Sequence, residues 1–184
     1  MADVSSQRRD AHAGLVLPSK SPRASVSASQ PAIRFIYRGP ADGLGGAFGV
    51  QLPTQPCRAH TSGHRAALWL GPDEWLLIVP EDASGSLATQ LRSARLTGGC
   101  LVDVSHRNAG IVIRGTKAAE ILNAACPLDL DETAFPVGMC TRTLFGKAEF
   151  VLWRTGSDTF HLETWRSFLP YVVGLLTVAI RDLA

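Results

Sequence analysis

Hydrophobic and polar positions fall into a regular order from Ala32 onward. Ile33, Phe35 and Tyr37 alternate with Arg34 and Arg38, the period-two pattern of a half-exposed strand. Gly39-Pro40 ends it, and 41–48 reads as a short helix weakened by glycine. Leu68, Leu70 and then 75–79 predict two apolar strands around Gly71-Pro72-Asp73. This is a turn in which proline presets φ to about −65°. Residues 81–96 follow as a helix with Leu87, Leu91 and Ala94 on one side, stopped by Gly98-Gly99. Another strand covers 100–104.

The remaining chain repeats that order. Ile111 and Ile113 predict a strand closed by Arg114-Gly115-Thr116, with Thr116 as N-cap of a helix over 117–125. Ala118, Ile121, Leu122 and Ala125 face inward on that helix, and Cys126-Pro127 ends it. Strands at 140–144, 150–153 and 160–163 follow, with turns at Gly146-Lys147 and at 155–158. Ser167 then caps a helix over 168–182.

Laid on one another, the two stretches match at several points. Arg38-Gly39-Pro40 falls on Arg114-Gly115-Thr116, and with a two-residue gap Ala47, Val50 and Leu52 fall on Ala125, Leu128 and Leu130. Asp73, Trp75 and Leu77 fall on Asp158, Phe160 and Leu162. The order strand–helix–strands–helix, twice over, predicts an α+β fold of two pseudo-symmetric ferredoxin-like halves, a duplicated split βαβ unit. The expected organisation is an arm over 1–31 and one duplicated domain over 32–184, with halves near 32–99 and 100–184. Each half covers one sheet face with helices. The other face must meet the sister half or another protein.

Residues 1–30 of the arm hold seven serines, two prolines, Arg8, Arg9, Lys20 and Arg23, and too little apolar surface to fold by themselves. They have no apolar core of a signal peptide, since 15–17 is too short, and Asp3 and Asp10 weaken a transit-peptide reading. The longest apolar run, 168–180, is shorter than the about 20 residues that cross a bilayer. These points predict a cytoplasmic chain with no membrane partner. On a helical wheel that run leaves only Gly174 and Thr177 as gaps. A helix apolar all round needs cover on every side, so the pattern predicts a subunit whose partner shields it.

Composition narrows the chemistry. Eighteen basic against sixteen acidic residues leave a net charge of +2, spread along the chain, so nucleic acid is not an implied partner. An RNA-binding ferredoxin-like module would also need base-stacking aromatic and basic signatures that are missing. Cys57, Cys100, Cys126 and Cys140 have neither zinc-knuckle nor CxxC spacing and read as reduced thiols beside apolar runs. His60 and His64 are four apart, but Ser62-Gly63 between them argues against a helix and a metal site. Gly43-Leu44-Gly45-Gly46 lacks the spacing of a dinucleotide loop.

Within Asp103-Val104-Ser105-His106, Asp103 and His106 could serve Ser105 as a nucleophile. Neighbouring strand residues face opposite ways, which favours a turn instead. Asp129, Asp131 and Glu132 read as a solvated loop. No catalytic, cofactor-binding or metal-ligating residue is expected here. Trp165 and Arg166, with Phe168, Tyr171 and Leu175, are the candidate subunit interface, because Trp and Arg anchor protein contacts.

Several segments together carry a resemblance. They are 70–76 (Leu-Gly-Pro-Asp-Glu-Trp-Leu), Asp103-Val104-Ser105-His106-Arg107, Cys126-Pro127-Leu128-Asp129-Leu130, Phe135-Pro136-Val137-Gly138 with Arg142-Thr143, and Trp165-Arg166-Ser167-Phe168. From about Ala32 to the C-terminus, the chain resembles the gamma subunits of heterotetrameric sarcosine oxidases. It is also similar to the folate-binding fold of the glycine-cleavage aminomethyltransferase.

The resemblance implies a non-catalytic place in an enzyme that oxidises the N-methyl group of sarcosine. Electrons pass through FMN to oxygen and give peroxide, and the one-carbon unit leaves as formaldehyde or on tetrahydrofolate. It further implies an alpha subunit with NAD and a folate domain, a beta subunit with FAD, FMN between alpha and beta, and a delta subunit with zinc. No cofactor is expected in this chain, and the arm is expected to run along a partner. The alternative is a free-standing folate-binding one-carbon transfer protein. That reading needs a pocket of several hundred Å3 between the halves with an acid to meet the pterin, and Glu74, Asp103 and Glu163 are candidates by type.

Overall fold

The alternating segments do form strands. In the computed structural model, which describes residues 11–18, 23–44, 46–81, 84–93, 96 and 98–183, β1 (Ser25–Ala28) and β2 (Ala32–Arg38) come first. β3 (Ala59–Ser62), β4 (Arg65–Gly71), β5 (Glu74–Pro80), α1 (Ser84–Ser93) and β6 (Cys100–Asp103) follow. The chain continues through β7 (Asn108–Arg114), α2 (Ala118–Asn123), β8 (Cys140–Phe145), β9 (Ala148–Gly156), β10 (Thr159–Trp165) and α3 (Leu169–Leu183).

Two five-stranded sheets result, ordered β3-β4-β5-β2-β6 and β8-β9-β10-β7-β1, and every neighbouring pair is antiparallel. Within them, β6-β2-β5-β4 and β1-β7-β10-β9 have the order of a split βαβ unit, and β3 and β8 are added edges. The expected duplication is therefore present.

It extends to single hydrogen bonds. Gly39 and Gly115 both have positive φ, +150° and +134°. The Gly39 N–H donates to the Asp73 carbonyl and the Gly115 N–H to the Asp158 carbonyl, each at 2.9 Å. These are the residue pairs that the sequence alignment equated.

The last strand of each half is where the structure departs from the sequence reading. β6 pairs with β2, Ile36 opposite Val102, so the first half runs past residue 99 to 103. The equivalent strand of the second half does not follow α3. It is β1, from the stretch read as a flexible arm, with Val26 opposite Ile113 on β7. A short Ser-Val-Ser-Ala segment carries too little apolar pattern to be recognised as a strand; its pairing partner defines it. Arg8, Arg9, Lys20, Asp3 and Asp10 of that stretch lie outside the described residues.

Three apolar layers hold the sheets. Phe35, Tyr37, Trp75, Leu77 and Val79 pack under α1 with Leu87 and Leu91. Ile111, Ile113, Leu152, Phe160 and Leu162 pack under α2 and α3. Between the sheets lie Leu68, Leu76, Ile78 and Val104 from one side and Cys140 and Val151 from the other. The second sheet face is thus covered by the sister half.

Other expectations are corrected. Residues 41–44 and 46–48 form turns rather than a helix, closed by Gly43→Pro40 and Ala47→Leu44 backbone bonds of 2.9 Å, yet still bury Leu44 and Phe48. The glycines make a continuous helix entropically unfavourable there. α1 is shorter than 81–96, and Ala94 lies outside the described residues. α2 begins at Ala118 with Lys117 at its N-cap and no side-chain cap, so Thr116 does not cap it. Cys100 is exposed and Cys57 half-buried; only Cys126 and Cys140 are buried thiols.

The largest correction concerns α3. Its own sheet covers Leu169, Val172, Val173, Leu176, Ala179 and Ile180, the i, i+3, i+4, i+7 stripe of an ordinary surface helix. Leu175 is half-buried, and only Tyr171 and Val178, at 42% and 45%, stay outside among its large apolar residues. The helix wheel counted apolar residues without knowing how broad a sheet would lie beneath them. No helix among the described residues is long and apolar enough to cross a membrane.

A Cβ at Gly115 would sit 2.7 Å from Ala24 Cα, at the entry to β1, in a left-handed conformation that side chains disfavour. Deleting residues 1–31 should expose the β7 edge and lower the thermal midpoint strongly, with increased aggregation on warming. Gly115→Ala should reproduce part of that loss. Circular dichroism melts of the three proteins measure it, and unchanged midpoints would refute the role of β1.

Candidate functional site

β2 and β10 are internal strands, and each sends alternate side chains into the layer between the sheets. On β2 this turns Arg34 inward, and on β10 it turns His161 and Glu163 inward. Arg34 Nε donates to Glu163 Oε2 at 2.6 Å, and Arg34 Nη1 donates to the Ala32 carbonyl at 2.8 Å. His161 Nε2 lies 2.8 Å from Glu163 Oε1. Arg34 is 5% exposed and Glu163 2%, so β2 is not the half-exposed strand that its alternation predicts.

Gly110 on β7 lets this group fit. A Cβ there would stand 2.8 Å from both Arg34 Nη2 and Glu163 Oε1 and would collide with Ser29 Oγ. Burial would push the Glu163 carboxyl up, but Arg34 and His161 beside it hold it below its ordinary range.

A second ion cluster joins the halves nearer the surface. Glu74 takes Arg38 Nη2 at 2.7 Å from its own half and Arg142 Nη2 at 2.6 Å from the other. Burial again opposes ionisation there, and the two guanidinium groups outweigh it, leaving the Glu74 carboxyl lowered.

Cavities flank the buried pair. One of about 390 Å3 lies beside Arg34, with His12, Ser29, Glu81, His106 and Arg166 on its wall. Another, of about 290 Å3, lies beside His161 with His64, Arg65 and Trp153. Trp153 Nε1 is buried without a hydrogen-bond partner.

Most of the polar residues singled out in the sequence make local hydrogen bonds in turns. Asp103 Oδ1 accepts the Ser105 N–H at 2.9 Å and the Ser105 hydroxyl at 2.6 Å, closing a turn. Ser105 Oγ in turn accepts the Arg34 N–H at 2.9 Å. Asp129 and Asp131 likewise accept backbone N–H groups two residues on, Asp131 and Thr133, at 2.9 Å each. His60 is on β3, with Nδ1 2.9 Å from the Gln51 carbonyl, and His64 is in the turn after it. Among the described residues no three His, Cys, Asp or Glu side chains gather as a metal site.

The candidate interface residues split into two groups. Trp165, 40% exposed, stacks on Phe168 with ring centroids 5.4 Å apart and planes 6° from parallel. Arg107 lies over Trp165 at 5.7 Å, a cation–π contact, and Arg166 turns toward the larger cavity. Tyr171 and Leu175 lie against the β8–β9 hairpin instead, where Tyr171 Oη accepts the Lys147 N–H at 3.2 Å.

Arg34 and Gly110 escaped sequence reasoning. A lone arginine in an alternating strand looks like a surface residue until the acid that pairs with it, distant in sequence, is placed opposite. Arg154 was missed likewise: it is 5% exposed and its Nη1 donates to the Leu130 and Phe135 carbonyls at 3.2 and 2.9 Å.

Comparison with known proteins extends the picture. The family model described as sarcosine oxidase, gamma subunit, matches residues 39–181. The sarcosine oxidase subunit gamma of Corynebacterium sp. (strain P-1) is 34% identical over 143 residues, 77% of this chain and 70% of that one. A chain of the heterotetrameric sarcosine oxidase from Corynebacterium sp. U-96, solved with pyrrole 2-carboxylate, superposes with a TM-score of 0.81 at 25% identity. The match covers 95% of each chain. The glycine cleavage system aminomethyltransferase T from Bartonella henselae shares the fold, with a TM-score of 0.62 at 13% identity over 84% of this chain and 45% of that one.

Replacing Glu163 by Gln should leave Arg34 as an uncompensated buried charge and lower stability by about 3–5 kcal/mol. An Arg34→Met, Glu163→Leu double variant should lose much less. Because the Glu163 carboxyl is lowered in the fold, its stabilisation is present above its ordinary value of 4.5 and is lost as pH falls below it. Urea melts of wild type should therefore weaken as pH drops through that region, and more steeply than those of the double variant. Equal slopes would remove Glu163 from the acid response.

Proposed function

Starting from the finding that this chain belongs to the sarcosine oxidase, gamma subunit family, we propose that it is a non-catalytic, structural subunit of a cytoplasmic heterotetramer that oxidatively demethylates sarcosine. In this reading glycine and peroxide are products, with formaldehyde or 5,10-methylenetetrahydrofolate. The alpha, beta and delta partners hold FAD, FMN, NAD, zinc and tetrahydrofolate between them. The observation that supports it most is the superposition over nearly the whole chain on a component of such a heterotetramer.

The chemistry of the layer between the halves supports the structural role. Both oxygens of Glu163 and both of Glu74 are held by the chain's own basic groups, and Asp103 caps a turn. Glu163 and Glu74 brace one half against the other. Exposed Trp165, stacked on half-buried Phe168 with Arg166 beside it, is the proposed contact with a larger subunit, and Tyr171 with Leu175 is a second contact point on α3.

The alternative, a free-standing folate-binding one-carbon transfer protein, draws support from the two cavities, which have the volume it requires. Against it, Glu74, Asp103 and Glu163, the acids it would offer a pterin, already bond to the chain's own groups. Heat on calorimetric titration with tetrahydrofolate would favour it over the structural reading.

Affinity purification of the tagged chain from its native host should recover larger partners, flavin absorbance and sarcosine-dependent oxygen uptake. A Trp165→Ala, Phe168→Ala variant that still folds should recover the partners at least about tenfold less well, the scale of a central aromatic anchor. Recovery of the chain alone, without flavin, would overturn the assignment.

A further inference from the structure

The edges of the two sheets touch at one corner, and two cysteines stand opposite one another in its backbone register. Arg58, just before β3, bridges Met139, just before β8, in antiparallel sense. The flanking backbone bonds run from Ala59 N–H to the Gly138 carbonyl at 2.8 Å and from Cys140 N–H to the Cys57 carbonyl at 3.0 Å. That pattern sets Cys57 directly opposite Cys140.

Opposed residues of antiparallel strands have Cα atoms about 4.5–5.5 Å apart. Disulfides span about 4.4–6.8 Å between the same atoms. Cys57 is also the one non-glycine residue with positive φ among the described residues, at +57°, so the fold holds this thiol in a conformation that side chains seldom adopt.

We propose that Cys57 and Cys140 are a modification site, joined by a reversible disulfide that fastens the first half to the second when the chain meets hydrogen peroxide. Cys57 is half-buried and Cys140 fully buried, so peroxide reaches Cys57 first. The Cys57 sulfur attacks one peroxide oxygen, the O–O bond breaks, and a sulfenic acid and one water result. The Cys140 sulfur then attacks the Cys57 sulfur; its proton leaves with the displaced hydroxyl as a second water. Two thiols and one peroxide thus give one disulfide and two waters.

Cys140 is the slower partner. Burial pushes its thiol up to about 12, the neighbouring Cys57 adds to the rise, and its S–H points at the Trp69 carbonyl 3.6 Å away. Cys100 and Cys126 have no such opposition: Cys100 is exposed on the β6 edge and Cys126 is buried at the end of α2. The inference rests on this corner alone and is independent of the proposed place in a complex.

The test is peroxide treatment of the folded full chain, alkylation of remaining thiols, and peptide mapping by mass spectrometry without reduction. The expected result is a peptide pair linked through Cys57 and Cys140, absent in Cys57→Ser and reversed by dithiothreitol. The oxidised wild type should also melt about 5 °C or more above its reduced form, since the link closes a long loop. Cys57 found as sulfinic acid without a link, a link through Cys100, or a lower melting point on oxidation would each overturn it. Cys57→Ser replaces a half-exposed side chain and should fold, so the control does not depend on changing the buried Cys140.

Discussion

Two sheets that each have a helix-covered face must also hide the other face, and in this chain they hide it against one another. The layer between them is mostly apolar, but a charged pair crosses its middle. Arg34 and Glu163 are worth little as net stabilisation compared with two well-fitted aliphatic side chains. What they supply is a single register: slide one sheet past the other by a residue and a guanidinium is left in a dry layer without its acid. Gly110, His161 and Ser29 are arranged around that requirement.

Much of the architecture was legible in the residues. The strand–helix order, the 71–73 turn and the paired Arg-Gly corners all appear in the fold, and the equated glycines make equivalent bonds. Local information sufficed there, because a hairpin or a positive-φ corner is decided by neighbours in sequence. β1 was not legible, since it is a strand only by virtue of β7. The inward turn of Arg34 was not legible for the same reason. α3 misled in the opposite direction, as its sequence holds the number of apolar side chains but not the breadth of the surface beneath them.

The site tells a similar story. Ordered motifs point to the family from sequence alone, and the aspartates that invite catalytic readings hold turns. Asp103, Asp129 and Asp131 each accept a backbone N–H two residues on, a use of aspartate as local as its sequence neighbourhood. By contrast, the groups that unite the halves, Arg142 with Glu74 and Arg34 with Glu163, are drawn from far-apart segments. No spacing rule could have matched them.

That β1 precedes the first half in sequence yet pairs with the second has a consequence for how the protein is made. Made before the whole of the first half, Ser25–Ala28 has no neighbour in its sheet until β7 has been synthesised. The first sheet needs only the stretch from β2 to β6 and can close by itself, whereas the second must take back a strand made before it. Loss of that borrowed strand would leave the second half open while the first stays intact.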